Sequence, residues 1–355
     1  MKRARVLLVS ISPPEEGGSQ RNVAEIGKCD EVTAILTQKG SNCEKAICLP
    51  TWNHSALTRN ITFFVLCFFY SLGLLLTSRK YDIIQTEENL CYLLVPFWSL
   101  RYKTIVTVQG LRGFKFYDNK FLWFHFKLGL KFADKIIAAD FVEKALLEKI
   151  GFNNVVYISN GADVEVYNGI RAKPDKTITF VGRIHRQKGI DNLFKAFNMI
   201  KHLYPEYSLK IVGKNSGEFY EKLSKEYADE RIIWKGFILD RKELFSEIVS
   251  SEILVYPSRW EAMPWPALLE GLASGRAVIA SGLPGLNEIF KDGKEILLVK
   301  PEDVEDLAIK IEFLINNAKA RDQIGKNGKV AAQQYNWDNI REKTIAVYEN
   351  NCFDI

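Results

Sequence analysis

Short apolar runs, bounded by glycine or polar residues, recur along the whole chain, and many are separated by stretches long enough to form a helix. Continuous apolar runs that alternate with helices are typical of strands in parallel sheets covered on both faces. The pattern therefore predicts an α/β protein. Strands are predicted within residues 4–11, 81–86, 103–110, 134–140, 154–161, 176–183, 207–214, 252–258 and 276–282.

Helical periodicity supports the same class. Residues 188–203 place apolar side chains on one stripe of a helix, namely Ile190, Leu193, Phe194, Phe197 and Ile200. Residues 337–350 predict a last helix, with Ile340, Val347 and Tyr348 on one face. Because strands and helices alternate through both halves, we expect two α/β domains, which 355 residues can accommodate.

A turn-rich segment separates the two series of strands. Residues 160–176 contain two Asn-Gly pairs and Pro174, which are typical of turns and of helix ends. We predict a first domain at residues 1–165, a second at 166–335 and a separate helical segment at 336–355. In open α/β sheets ligands bind outside the carboxyl ends of the strands, so site residues should lie on strand-to-helix loops.

Composition and charge narrow the class further. The chain is 47% hydrophobic and 26% charged, as in an ordered globular protein, and its net charge of +5 is too small to indicate a nucleic-acid partner. The six cysteines form no Cys-x-x-Cys pair and show no metal-ligand spacing with the four histidines, so they predict reduced thiols in a cytoplasmic protein. The basic, apolar N-terminus resembles the start of a signal peptide, but its apolar run is too short.

A glycine-rich loop follows the first predicted strand. Gly17 and Gly18 allow close approach of a ligand, and together with Ser19 their amides at a helix start could hold a phosphate or a sugar hydroxyl. The alternative is an ordinary glycine turn. The loop lacks the spacing Gly-x-Gly-x-x-Gly, which argues against a dinucleotide-dependent dehydrogenase.

Two charged loops follow predicted strands of the second half. One reads GRIHRQKG, and its Arg183 and Lys188 could neutralise a diphosphate, although solvated loop charge is an alternative. The other, residues 257–275, places Glu261 and Glu270 around a proline-broken loop that leads into a helix. A helix N-terminus can bind a phosphate, and a carboxylate one turn inside it can accept hydrogen bonds from ribose or sugar hydroxyls.

These loops occur in the order found in retaining glycosyltransferases of family 4, and the chain resembles that family over nearly its whole length. The resemblance is most specific in the segments ISNGAD, FVGRIHRQKGIDNLFKAF, IVGK, KGF, YPSRWEAMPWPALLEGLASG and GLPGLNEIFKDGKEILLV. It implies the GT-B fold, in which two Rossmann-like domains with parallel sheets face a central cleft and the C-terminal helix packs back toward the first domain. It also implies catalysis without a bound metal or other cofactor.

The resemblance implies roles for individual residues. Arg183 and Lys188 would stabilise the leaving diphosphate, and Glu270 would hold the ribose hydroxyls, while Glu261 would act near the donor sugar. The remaining donor-binding positions are Gly17, Gly18, Gly182, Met263, Pro264, Trp265 and Leu268, and those assigned to the acceptor or the sugar are Ser19 and Gln109.

Two features depart from the family pattern. The family usually has seven residues between its paired glutamates, whereas Glu261 and Glu270 enclose eight, so Glu261 needs a bulge at residues 264–266 to reach the usual position. The family often has a histidine where this chain reads TVQG, and Gln109 can bond a sugar hydroxyl but cannot shuttle a proton. Transfer assisted by the leaving phosphate does not strictly require a protein base.

A basic segment and an apolar segment predict a membrane-facing surface in the first domain. Residues 101–135 contain eight Lys or Arg and two acids. One face of the predicted helix carries Lys120, Lys127, Lys131 and Lys135, and the adjoining stripe carries Phe121, Leu128 and Phe132. Phe124 falls between the face and the stripe, and Trp123 and Phe126 lie elsewhere on the helix. A helix of this kind could bind the interface of an anionic membrane, and a core helix with a solvated lysine face is the alternative.

The apolar segment comprises residues 60–78, which are uncharged over 19 positions. This length is close to the roughly 20 apolar residues that span a bilayer. Spanning would split the first domain, so we interpret the segment as a buried or membrane-apposed helix.

The sequence thus predicts a metal-independent retaining hexosyltransferase that moves a sugar from a nucleotide diphosphate donor to a hydroxyl acceptor. A UDP-sugar is the favoured donor and a GDP-sugar the second choice. The expected acceptor is a lipid-linked or growing saccharide at the cytosolic membrane face, as in polysaccharide or glycolipid synthesis. Two alternatives remain open: a nucleotide-sugar epimerase of the same fold, and a catalytically weakened partner subunit docked on the membrane.

Overall fold

The computed structural model describes residues 3–11, 17–38, 45–51, 55–77, 80–87, 90–109, 120–170, 172–261 and 264–352, with the backbone alone at 17–20, 56–57 and 120–122. The described residues form two compact units. Unit 1 combines the chain up to Gly161 with the segment from Trp337 onward, and unit 2 is Ala162–Asn336. The predicted boundaries, after residues 165 and 335, lie within a few residues of these.

Each unit is built on one sheet. The strands of unit 1 are β1 (Val6–Val9), β2 (Val32–Gln38), β3 (Ala46–Leu49), β4 (Ile83–Thr86), β5 (Lys103–Val108), β6 (Lys135–Ala138) and β7 (Val155–Tyr157). The strands of unit 2 are β8 (Thr177–Val181), β9 (Ser208–Val212), β10 (Ile232–Gly236), β11 (Ile253–Tyr256), β12 (Ala277–Ser281) and β13 (Leu297–Val299).

Helices connect most of these strands. In chain order they are α1 (Gly17–Ile26), α2 (Ala56–Leu76), α3 (Val95–Trp98), α4 (Lys120–Lys131), α5 (Phe141–Lys149), α6 (Ile190–Ile200), α7 (Glu218–Glu226), α8 (Arg241–Ser250), α9 (Pro266–Ala273), α10 (Leu286–Ile289), α11 (Val304–Asn316), α12 (Ala318–Ala332) and α13 (Trp337–Cys352). Of these, α13 belongs to unit 1.

Both sheets are parallel and have the doubly wound order. The sheet of unit 1 runs β3-β2-β1-β4-β5-β6-β7, and that of unit 2 runs β10-β9-β8-β11-β12-β13. The strand order reverses between β1 and β4 in unit 1 and between β8 and β11 in unit 2. A reversal point of this kind leaves a crevice outside the carboxyl ends of the two strands, which is where such sheets bind ligands.

All nine predicted strands are present, and the described residues form four further strands that were not predicted. The missed strands are β2, β3, β10 and β13. The predicted amphipathic helix is confirmed as α6, whose stripe is buried throughout, namely Ile190, Leu193, Phe194, Phe197 and Ile200. Burying an aliphatic or aromatic side chain stabilises a fold by about 1.5–3 kcal/mol, so this face accounts for the position of α6 against the sheet.

The last helix completes the core of unit 1. Tyr348 of α13 is fully buried, and its hydroxyl donates a hydrogen bond of 2.5 Å to Oε1 of Gln85 in β4. At the start of α13 the Trp337 ring packs so closely on Gly161 that an added Cβ would lie 2.5 Å from it. Arg341 Nη1 lies 2.9 Å from Glu25 Oε2 in α1. The predicted C-terminal helix is therefore an integral part of unit 1.

Helix α2 carries much of the exposed apolar surface of unit 1. Of the helices in the described part of the chain, α2 alone is long and apolar enough to cross a membrane. Its mean hydropathy over Thr58–Leu76 is 1.7, and 22% of that stretch is buried. Its inward side chains Phe63 and Cys67 join the core, whereas Phe69 is 63% exposed. Other exposed apolar side chains of α2 are Ile61, Val65, Phe68 and Leu76.

The basic helix α4 differs in two details from its prediction. It ends at Lys131, and Lys135 is the first residue of β6, so Lys135 does not share the helical lysine face. The buried side of α4 is formed by Phe126 and Leu130, because Gly129 between them packs directly on Tyr92. The exposed residues of this segment include Lys127, Lys131, Phe124 and Phe132.

Candidate active site

The loop after β8 and the loop after β11 pack together at the reversal point of unit 2. Gly189 ends the first loop with φ 62°, a left-handed conformation that favours glycine. A Cβ at this position would lie 1.9 Å from the carbonyl oxygen of Pro257, at the start of the second loop. Gly182 opens the first loop with φ 156°. The close packing of the two loops therefore depends on a residue without a side chain at Gly189.

Lys188 and Glu261 form an ion pair across these two loops. The Lys188 Nζ contacts Glu261 Oε1, and the two side chains are only 13% and 7% exposed. The same carboxylate accepts a hydrogen bond of 2.9 Å from Ser258 Oγ and one of 3.5 Å from Gln187 Nε2. The eight-residue spacing thus places Glu261 against the predicted phosphate cation.

Arg183 lies at the exposed rim of the same loop. Its Nη2 donates to Gln187 Oε1 at 3.3 Å, and Gln187 in turn donates to the Trp260 carbonyl at 3.0 Å. His185 caps the 3₁₀ turn Arg186–Lys188, since its Nδ1 accepts from the Gln187 amide. The loop therefore presents the exposed guanidinium groups of Arg183 and Arg186 and the paired ammonium of Lys188 at the carboxyl end of β8.

Glu270 lies one turn inside α9, as predicted, and is buried among aromatic side chains. Arg241, the first residue of α8, donates from Nη2 to Glu270 Oε1 at 2.6 Å. The same nitrogen donates to Asp163 Oδ2 at 2.8 Å. Burial, and secondarily the negative charge of Glu270, raises the pKa of the Tyr167 and Tyr256 hydroxyls well above its ordinary value. Glu270 thus lies beside the Arg241 guanidinium and among buried aromatic side chains.

A cavity of about 370 Å³ adjoins the loop after β8. It lies at the carboxyl ends of β8, β9 and β10, and its lining comprises Val181, Gly182, Arg183, Val212, Gly213, Lys214, Phe237, Ile238 and Leu244. No role was predicted for Lys214 or Phe237. Lys214 is the last residue of the predicted run 207–214 and could have been selected on that ground, whereas Phe237 follows β10, which was not predicted.

The donor-binding positions predicted around α9 differ in burial and in their place relative to the helix. Pro264 and Trp265 precede the helix, which starts at Pro266, and Met263 lies outside the described residues. Leu268 is fully buried in the apolar core, and Trp265 is 6% exposed with its ring against Tyr256. The Leu268 amide donates to the Trp265 carbonyl at 3.1 Å, so both its side chain and its N–H are engaged within the protein.

The predicted residues of unit 1 lie at the carboxyl edge of its sheet. Gly17, Gly18 and Ser19 form the first turn of α1, after β1. The next turn carries Asn22, whose Nδ2 donates at 3.2 Å to Glu87 Oε1, just beyond the end of β4. Gln109 follows β5, and its Nε2 is buried and makes no hydrogen bond within the described part of the chain.

Solved structures share this architecture. Sucrose-phosphate synthase of Thermosynechococcus elongatus matches with a TM-score of 0.79 at 21% identity, covering 98% of this chain and 99% of that chain. HepE of Anabaena, in complex with UDP, matches with a TM-score of 0.80 at 15% identity, covering 98% and 100%. These similarities and the two parallel sheets define a protein with the GT-B glycosyltransferase fold.

Sequence comparison places the chain within that class. The profile described as glycosyl transferases group 1 matches residues 168–331. An uncharacterised glycosyltransferase of Methanocaldococcus jannaschii is 32% identical over 97% of this chain and 98% of its own length. Another, from Haemophilus influenzae, is 29% identical over 77% and 83%. The chain belongs to the group 1 glycosyltransferases and is a transferase enzyme.

Proposed function

We propose that this glycosyltransferase transfers a sugar from a nucleotide diphosphate donor to a hydroxyl acceptor with retention of configuration and without a metal ion. The observation that carries the proposal is the cationic loop after β8, where Lys188 pairs with Glu261 and Arg183 lies at the exposed rim, at the reversal point of the sheet. A UDP-sugar is the proposed donor, supported by the fold shared with a UDP-bound protein, and a GDP-sugar is the second choice.

The residues of unit 2 account for donor activation. As the bond to the anomeric carbon breaks, negative charge develops on the diphosphate, and fixed cations at Arg183 and Lys188 lower the energy of that state. Glu270 accepts hydrogen bonds from the ribose hydroxyls. To Glu261, whose carboxylate accepts from Ser258, we assign the hydrogen bond with a sugar hydroxyl close to the phosphates.

In unit 1 we assign contacts with the donor to Gly17 and Gly18, and contacts with the acceptor or the sugar to Ser19 and Gln109. Gln109 has no titratable proton, so it orients a hydroxyl and does not act as a base. The leaving phosphate then takes the acceptor proton during attack on the same face of the sugar.

Donor turnover tests this proposal. With purified protein, a panel of UDP- and GDP-sugars and a lipid or saccharide extract, we expect nucleoside diphosphate to be released only when donor and acceptor are both present. EDTA should leave the rate unchanged within about twofold, because the loop cations neutralise the negative charge of the phosphates in place of a metal ion. Release without acceptor and with an altered free sugar would indicate an epimerase. Donor binding without any release would indicate a partner subunit, and loss of activity in EDTA would refute the metal-independent mechanism.

We further propose that unit 1 binds the cytosolic face of an anionic membrane and receives a lipid-linked acceptor there. Helices α2 and α4 contribute to the same apolar cluster of unit 1. The outer residues of α2 are apolar, with Phe69 63% and Leu76 86% exposed, while α4 adds Lys127 and Lys131. Apolar and basic side chains on neighbouring helices of one layer suit a lipid interface.

Vesicle sedimentation tests the membrane proposal. We expect binding to vesicles that contain phosphatidylglycerol to weaken as salt increases, because each lysine near the surface contributes about 1 kcal/mol. Reversing two charges with Lys127→Glu and Lys131→Glu should reduce partitioning about tenfold or more. The matched control is Lys222→Glu with Lys225→Glu, two exposed lysines of α7 in unit 2, which should change little. Equal partitioning of both double variants would refute this surface.

A further inference from the structure

Arg241 occupies an unusual position for a cation. It is the first residue of α8, directly after the cap residue Asp240. The positive end of a helix dipole lies at the N-terminus, so an arginine there is disfavoured unless carboxylates compensate for it. Two carboxylates do so, because Arg241 Nη2 lies 2.8 Å from Asp163 Oδ2 and 2.6 Å from Glu270 Oε1.

The guanidinium is also fixed by stacking. Its central carbon lies 4.7 Å from the centroid of the Phe245 ring, which belongs to the next turn of the same helix. The Phe245 ring in turn contacts Tyr167 edge to face at 5.0 Å. A planar guanidinium on an aromatic face has few orientations available, so the hydrogen bond that it donates to Glu270 has a defined direction.

Glu270 needs this partner more than an exposed carboxylate would. It lies among the buried side chains of α9, next to Tyr256 and Tyr167. A buried carboxylate without a cation tends to take up a proton or change rotamer, and a protonated acid is a poor acceptor for a hydroxyl group. Arg241 supplies that cation and holds one oxygen of Glu270 in place.

From these contacts we propose that Arg241 is a positioning residue for recognition of the nucleotide ribose, acting through Glu270 and anchored by Asp163. This inference rests on the proposed function, in which Glu270 accepts from the ribose diol. Arg241 is not proposed to touch the reacting atoms. Its contribution is to the preference for a ribonucleotide over a nucleotide that lacks a ribose hydroxyl.

The test compares nucleotides that differ only in the ribose. Calorimetry of the full-length protein with UDP, 2′-deoxy-UDP and 3′-deoxy-UDP measures the discrimination ratio directly, and GDP with its deoxy forms is measured in parallel. For the wild type we expect at least one deoxy form to bind about tenfold or more weakly, the loss typical of a hydrogen bond to a charged group. In Arg241→Gln the ratio should fall below about threefold, with UDP losing affinity and the deoxy form changing little.

Three further variants separate positioning from folding. Glu270→Gln should lose the same discrimination, and the double variant with Arg241→Gln should lose no more than either single variant, as expected for residues that act as one unit. Arg241→Lys keeps the positive charge but cannot form the planar stack, so it should give an intermediate discrimination ratio. This variant also tests the proposal if Arg241→Gln does not fold. The control is Arg231→Gln, which removes another arginine that pairs with an aspartate and stacks on a phenylalanine, at the opposite end of β10.

The outcomes are distinct. If the wild type binds no nucleotide, or binds ribose and deoxyribose forms equally, the role proposed for Glu270 fails. If the wild type discriminates and both Arg241 variants keep its full ratio, the role of Arg241 fails while that of Glu270 stands. An equal loss of affinity for all three nucleotides in Arg241→Gln would assign Arg241 to the fold alone and overturn the proposal.

Discussion

Replacing Arg183 or Lys188 by alanine should reduce sugar transfer by about a hundredfold to a thousandfold. The reason is that each variant removes one fixed cation from the position where the leaving diphosphate gains charge, and losing one preorganised electrostatic group typically costs this much. The loss should appear in kcat as well as in kcat/KM, because the interaction is stronger in the transition state than in the bound substrate. Steady-state release of nucleoside diphosphate, measured with saturating acceptor, gives both constants.

A neighbouring residue provides the control. Arg186 is exposed in the same loop and carries the same charge, and its main-chain carbonyl, which Arg186→Ala retains, accepts from Arg259. We expect Arg186→Ala to change the rate less than about threefold. Equal losses in all three variants would mean that the charge of the loop as a whole matters. Normal rates in both Arg183→Ala and Lys188→Ala would refute the assignment of these cations.

Glu261→Gln should separate donor binding from transfer. In the structure the Glu261 carboxylate neutralises Lys188, so an incoming diphosphate has to share that cation with a like charge. Glutamine has nearly the same shape and keeps a carbonyl that can accept from Ser258, but it carries no charge. We therefore expect UDP to bind about threefold to tenfold more tightly, while transfer falls about tenfold to a hundredfold because the charged acceptor near the sugar is lost.

Calorimetry with UDP and initial rates with the complete substrate pair measure the two effects separately. Glu302→Gln is the matched control, since Glu302 pairs with Arg259 at 2.8 Å and the arginine belongs to the same loop as Glu261. This control should alter neither quantity appreciably. Weaker UDP binding in Glu261→Gln would show that the carboxylate supports the donor, and an unchanged rate would remove it from the chemistry.

The fold was largely predictable because buried parallel strands leave a strong pattern. Strands such as β8 and β12 are continuous apolar runs between polar turns, and they were predicted within a few residues of their ends. The edge strand β10 was missed because its burial alternates along Ile232–Gly236. Strand β13 has three residues, as does the correctly predicted β7, so its length does not explain why it was missed. The missed strand β2 is seven residues long and contains two threonines and a glutamine, but so does the predicted run 103–110, so this composition does not explain why it was missed.

Residues of the candidate site could be predicted only where they lie close together in the sequence, within one loop. Arg183, Lys188, Glu261 and Glu270 were found because they lie in two short segments after strands. The contact of Lys188 with Glu261 joins residues 73 positions apart, and Arg241 meets Asp163 across 78 positions, so neither could be inferred from local spacing. Likewise, the end of α4 at Lys131 depends on the turn that starts β6, not on the spacing of its lysines.

The place of α13 in unit 1 has a consequence for synthesis of the chain. Unit 2 is one continuous segment and is complete once Asn336 has been made, whereas unit 1 still lacks the helix whose Tyr348 fills its core. Domains tend to fold in the order in which they leave the ribosome. Here the domain that begins first is finished last, so its open core must persist while the whole of unit 2 is translated. Chaperone dependence and aggregation during expression should therefore arise from unit 1.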